Sequence, residues 1–136
     1  MIDCMVIGDS IAVGVAQQRP ECRCLVQGGL NSWQWNKKYK QERLSAKNVI
    51  ISLGTNDHDG VHTYKELMML RSRVSDADRV FWIMPPIKPP VQDIVAIIAN
   101  AHGDIIIKTD RLQADKIHPS TAGYKELANE TRKTDR

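Results

Sequence analysis

The chain has 136 residues, 42% hydrophobic and 26% charged, with a net charge of +3 from 19 basic and 16 acidic side chains. That is too short for two ordinary domains and long enough for one, 1–136, which buries roughly two-thirds of its unfolded surface without needing a disulfide or a metal. No apolar run approaches the ~18 residues of a spanning helix, and the basic residues are scattered, so neither membrane insertion nor a nucleic-acid partner is expected.

Strand-like and helix-like segments alternate along the whole chain. Residues 2–7 form a short apolar run, and 11–18 read as a helix. Asp3 stands where a signal peptide would carry Lys or Arg, and Asp9 interrupts the apolar stretch. No signal peptide is expected, which implies a cytoplasmic protein, with release by another route still open. The three cysteines, Cys4, Cys22 and Cys24, are odd in number and are expected to be reduced. Cys22 and Cys24 would share one face of a strand at 23–27, with no second ligand pair at zinc spacing.

Gly28-Gly29 ends that strand. Asn31 or Ser32 can cap a helix over 33–44, whose Lys37, Lys38 and Lys40 read as a solvated face. Residues 48–53, "NVIISL", are β-branched and uninterrupted, as in a strand covered on both faces. Residues 62–74 read as a helix with Tyr64, Leu67, Met68 and Leu70 inward. The strand 79–84, "RVFWIM", stops at Pro85-Pro86. Pro89-Pro90 opens a helix whose Val91, Ile94, Val95 and Ile98 follow the i, i+3, i+4, i+7 pattern. Gly103 ends it, 104–107 form a fifth strand, and a polar loop at 108–119 leads to a last helix near 120–132. The terminal "NETRKTDR" reads as a fraying end.

Five βα repeats imply a three-layer α/β/α, flavodoxin-like domain with a five-stranded parallel sheet in the order 2-1-3-4-5. Ligands of such sheets bind beyond the carboxyl ends of the strands, where strand order reverses. The loops there are "GDS" after the first strand, "GGLNS" after the second and "GTND" after the third. Asp115 and His118 follow the fifth strand. A hydroxyl, an imidazole, a carboxylate and several N–H donors thus converge on one edge.

"GDSIAVG", the Gly-Gly turn, "GTND" and "DKIHPSTAGY", in this order and spanning Gly8 to Tyr124, resemble the SGNH hydrolases, the GDSL-like esterase and lipase family. The resemblance implies a serine esterase that hydrolyses carboxylic esters through an acyl-enzyme, with no cofactor and no metal. Ser10 would be the nucleophile, His118 the base and Asp115 its orienting carboxylate. The backbone N–H groups of Ser10 and Gly29 and the side-chain amide of Asn56 would form the oxyanion hole, with Gly28 as the alternative glycine. Ser32 departs from the family, which often has Gly there, and Ile11 replaces the Leu of the family name.

Other residues have plainer readings. Asp9 and Asp57 are expected to brace the turns by bonding backbone N–H groups. His58 and His62, beside Asp57 and Asp59, resemble a metal cluster but lie in a loop containing Gly60, and are read as loop residues. One of Trp33 and Trp35 should pack under a helix while the other can line the cleft. "MPPIKPP", 84–90, should be a stiff loop, with Met84 and Ile87 as pocket walls beside Trp33. An open cleft without a lid would favour small acyl groups such as acetyl, on a small-molecule or carbohydrate ester. The alternatives are a thioesterase or lysophospholipase of the same fold, and a non-catalytic domain binding a sugar or protein. No GxGxxG or GxxxxGK[ST] supports nucleotide binding.

Overall fold

A computed structural model describes residues 1–133. The elements are β1 (Ile2–Gly8), α1 (Ser10–Gln18), β2 (Arg23–Val26), α2 (Ser32–Lys38), β3 (Ala46–Ser52), α3 (Thr63–Arg73), β4 (Arg79–Ile83), α4 (Pro89–His102), β5 (Ile105–Ile107) and α5 (Thr121–Glu130). All strand pairs are parallel, in the order β2-β1-β3-β4-β5.

The strands alternate between two cores, because successive side chains point to opposite faces. Met5 and Ile7, Val49 and Ile51, and Val80 and Trp82 face α2, α3 and α4, where Trp35, Leu67, Leu70, Val95 and Ile98 meet them. Cys4 and Val6, Ile50, and Phe81 and Ile83 face the opposite layer, where Ile11, Val15 and Leu127 of α1 and α5 cover them. With both faces covered, the central strands carry unbroken apolar runs.

Four expectations need correction. The cysteines are not all reduced: Cys4 and Cys22 form a disulfide, with Cα atoms 4.8 Å apart, a separation a disulfide spans. The β1–β2 register pairs Met5 with Arg23, so one rung earlier Cys4 faces Cys22, across a crossover that residue spacing does not report. Cys24 is free and exposed.

The second helix stops at Lys38 rather than running to 44. The Arg73 guanidinium takes up the carbonyls of Tyr39 (2.9 Å) and Glu42 (2.7 Å), holding that chain in a turn. In α3, Tyr64 points outward and is half exposed, while Glu66 is buried among Leu67 and Leu70. Asn36 explains the inversion, since its Nδ2 donates to both the carboxylate and the carbonyl of Glu66 at 2.9 Å. Finally, the terminal segment is not frayed where it is described: Asn129 and Glu130 belong to α5, and Thr131 is buried against the Arg19 guanidinium. Residues 134–136 of that segment lie outside the described residues.

Among the described residues, no helix is long and apolar enough to cross a membrane.

Candidate active site

Gly8 makes the first turn possible. Its φ is +141°, and a Cβ there would stand 1.9 Å from the Ser52 carbonyl oxygen, so no other residue fits between β1 and β3. The Asp9 N–H donates to that same carbonyl at 3.0 Å. The Asp9 side chain then caps α1, accepting from the Ile11 N–H at 3.1 Å. Ser10 becomes the first residue of a nine-residue helix, half-buried at the sheet edge, where helix N–H groups have no intrahelical partner.

Asp9 is fully buried, and burial pushes its carboxyl up to about 6. The Ile11 N–H, the Ser52 hydroxyl and the Ala12 N–H pull the other way without cancelling that shift. One of its oxygens, Oδ2, has no hydrogen-bond partner. The turn role expected of Asp9 therefore comes with a titratable group next to Ser10, which residue spacing does not reveal.

The last loop is folded around Asp115. Leu112 pairs with Pro119 in an antiparallel bridge, and the Gln113 N–H donates to the His118 carbonyl at 2.7 Å. Lys116 takes a left-handed conformation, φ +59°, which turns the chain back over the carboxylate. Asp115 Oδ1 accepts from the N–H groups of Ile117 (2.9 Å) and His118 (3.0 Å), and its Oδ2 lies 2.6 Å from His118 Nδ1. The imidazole bond, followed by the two backbone bonds, holds Asp115 down at about 2.

The other ring nitrogen, His118 Nε2, lies 3.0 Å from Ser10 Oγ, across 108 positions of sequence. An ionised Asp115 can only accept, so Nδ1 carries the proton and Nε2 is left to accept from the Ser10 hydroxyl. Both His118 and Asp115 remain part-exposed, so this line of three groups is open to solvent.

Gly29 has φ +82° and open space where a Cβ would stand, whereas a Cβ on Gly28 would come 3.7 Å from the Ser10 Cβ. The glycine turn thus lies alongside Ser10. Gly54, at φ +115°, turns the chain after β3, and Asn56 is half-buried with its Nδ2 donating to the Leu30 carbonyl at 3.1 Å. Asn56 is thereby tied to the loop that carries the two glycines.

Asp57 fastens the same two loops from below. It accepts from the Ser32 N–H (2.8 Å), the Ser32 hydroxyl (2.6 Å) and the Thr63 hydroxyl (2.8 Å). Ser32, the departure from the family pattern, is fully buried as a donor to that carboxylate. Lys88, with φ +66°, reaches the Asp57 carbonyl at 2.6 Å and links the proline loop to the cluster. Nothing in "IKPP" signals that contact.

The remaining predicted positions separate. Trp35 is buried and donates to the Leu25 carbonyl at 2.9 Å, while Trp33 is exposed on α2. Met84 is half-buried and lines a small apolar void with Ile11, Ile117 and Pro119, the neighbours of Ser10 and His118. Ile87 is half-buried in the loop between β4 and α4. The His58 ring accepts from the Gly60 N–H at 3.1 Å, and among the described residues no three His, Cys, Asp or Glu side chains are grouped to hold a metal.

The chain is an all-parallel α/β/α sandwich whose carboxyl edge brings a Ser, an imidazole and a carboxylate into line. Solved structures agree on that fold. The chain is similar to a member of the lipolytic protein G-D-S-L family from Veillonella parvula, at 15% identity and a TM-score of 0.68, covering 96% of both chains. It is similar also to the C-terminal catalytic domain of peptidoglycan O-acetyltransferase A from Streptococcus pneumoniae, at 17% identity and a TM-score of 0.67, covering 94% of this chain and 89% of that one. No protein-family model and no curated protein matches the sequence.

Proposed function

We propose that the protein is a serine esterase that removes small acyl groups, acetyl foremost, from carboxylic esters. The observation that carries this reading is the line from Asp115 through His118 to Ser10, with contacts of 2.6 and 3.0 Å. His118 Nε2 takes the Ser10 proton as Oγ attacks the ester carbonyl, while Asp115 holds the tautomer and stabilises the imidazolium. The negative charge on the carbonyl oxygen meets the N–H groups of Ser10 and Gly29 and the Asn56 amide. His118 then gives its proton to the departing alcohol. Water, deprotonated by the same imidazole, releases the acid from Ser10.

His118 and Asp115 are part-exposed, so the site opens at the surface, which favours a short acyl group over a long chain that needs an apolar tunnel. The disulfide bears on the setting. Such bonds persist in oxidising surroundings, so Cys4–Cys22 favours action outside a reducing cytosol over the cytoplasmic location expected from the N-terminus.

Two measurements test the reading. A fluorophosphonate probe is expected to label the native protein at Ser10 and to leave Ser10→Ala unlabelled. Turnover of p-nitrophenyl esters is expected to fall from acetyl to longer chains. An unlabelled native protein of intact fold would favour the non-catalytic binding domain, and faster cleavage of acyl-CoA or lysolipid would favour the other hydrolases of this fold.

A further inference from the structure

The two helices that start at the site's edge, α2 and α3, do not close on each other along their outer surface. Between them runs a trough of about 380 Å³, walled by Trp33, Lys37 and Lys40 on one side and by Lys65, Met69 and Arg73 on the other. Its floor is the buried Asn36–Glu66 pair. A second hollow of about 400 Å³ shares Trp33 and Lys65 with it and opens toward the loop of His58 and His62. The trough therefore begins at the carboxyl edge of the sheet, beside the "GGLNS" and "GTND" loops, and runs roughly 10 Å down the molecule along α2.

Its chemistry is specific in two ways. Four cationic side chains line it against one carboxylate, Glu66, which Asn36 already occupies. Among the described residues, Lys37, Lys40 and Lys65 make no ion pair. Large apolar surface also lies open, with Trp33 and Met69 each 48% exposed. The Lys37 ammonium sits 4.8 Å from the centre of the Trp33 ring, a cation–π contact that steadies both. Lys37, Lys38 and Lys40 are all exposed, as expected of a solvated face, and two of them, Lys37 and Lys40, also line this groove.

We propose that this trough binds a carboxylate-bearing glycan, with Trp33 and Met69 against the apolar faces of the sugars and the lysines paired with their carboxylates. This rests on the esterase reading in one respect: the glycan would be the alcohol part of the ester, led along the trough toward Ser10. A single-stranded nucleic acid fits less well. Strand binding uses successive aromatic platforms, and here one indole stands opposite a thioether.

The test reads binding alone, on the Ser10→Ala protein, so that it needs no turnover. Affinity electrophoresis is run through gels containing polygalacturonate, dextran or oligo(dT), at near-physiological salt. Polygalacturonate is expected to retard the protein and dextran to leave it unretarded. Trp33→Ala, and the pair Lys37→Gln with Lys65→Gln, are each expected to weaken that retardation at least tenfold, while Lys37→Arg with Lys65→Arg retains it. Unfolding temperatures of each variant confirm the fold. No retardation by polygalacturonate, retardation unaffected by the Gln pair, or stronger retardation by oligo(dT) would each overturn the proposal. Fluorophosphonate labelling of the native protein is independent of all these outcomes, so failure of the trough and failure of the esterase reading are distinguishable.

Discussion

Ser52 Oγ donates to Asp9 Oδ1 across 3.1 Å, joining the last residue of β3 to the residue just ahead of Ser10. With the Ile11 N–H on the same oxygen, this bond fixes how α1 leaves the sheet. It also places a buried carboxyl where a change of charge is felt by the turn that carries Ser10.

Asp9 makes stability depend on pH. Below pH 3.8 the carboxyl is protonated whether the chain is folded or not. As pH rises from there to about 6, the unfolded chain ionises while the folded chain keeps its proton. Stability is therefore expected to fall across that window, by on the order of 3 kcal/mol in total, and to level off above it. Asp9→Asn keeps the capping oxygen and removes the titration. Its unfolding temperature should hold between pH 4 and pH 7 where the native protein's falls, and parallel curves would rule the assignment out.

Asp115 behaves oppositely. It is held at about 2 by His118 and two backbone N–H groups, so an acid limb in the pH–rate profile above pH 3 cannot be its own titration. The stability it contributes is complete above the unfolded value of 3.8 and is lost as pH falls toward 2. Asp115→Asn is expected to lower kcat about 10²–10⁴-fold while leaving KM for p-nitrophenyl acetate nearly unchanged. Near-native kcat would remove Asp115 from the proposed triad.

Asn56→Ala tests the proposed oxyanion hole. One lost donor typically lowers kcat by about 10²–10³. The side chain's visible tie is a single bond to the Leu30 carbonyl, so the fold should lose only about 1 kcal/mol. A steady-state assay beside a urea melt separates the two effects. A large stability loss with unchanged kcat would make Asn56 a structural residue.

The disulfide closes a loop between positions 18 apart. Chain-entropy arguments give it about 3 kcal/mol through the unfolded state. Cys4→Ser with Cys22→Ser, or mild reduction of the native protein, should lower the urea midpoint accordingly. Cys24→Ser should not, and identical melts with and without reductant would mean the bond adds nothing.

Much of this was legible from residues. The run 48–53 announced a strand buried on both faces, and Pro89-Pro90 with Gly103 bracketed α4 to within a residue. The approach of Ser10 to His118 was suggested by the parallel topology, which puts both loops at one edge of the sheet, and by motif order, since local spacing carries no information across 108 positions. What stayed hidden depends on pairings between distant segments. Tyr64 has the right periodicity for a core position, yet Asn36 draws Glu66 inward instead. The 33–44 segment lacks a breaker, and the carbonyl-gathering Arg73 ends its helix. Cys4 and Cys22 meet only because β2 returns alongside β1. Ser32 looked like a departure from a family pattern until Asp57 supplied its partner.

Gly14 and Tyr124 give the assembly an order in time. The tyrosine ring lies so close over the glycine that a Cβ there would come within 2.2 Å of it, and this contact seats α5 on α1. The loop that carries His118 runs directly into α5. During synthesis, β1, α1 and β3 can meet, and Ser10 can take its place, long before residue 124 leaves the ribosome. The imidazole arrives only when the last helix finds its glycine seat. Until then Ser10 stands at the head of α1 without the imidazole that lies 3.0 Å from it in the folded chain, so any chemistry that needs the two together waits on this contact.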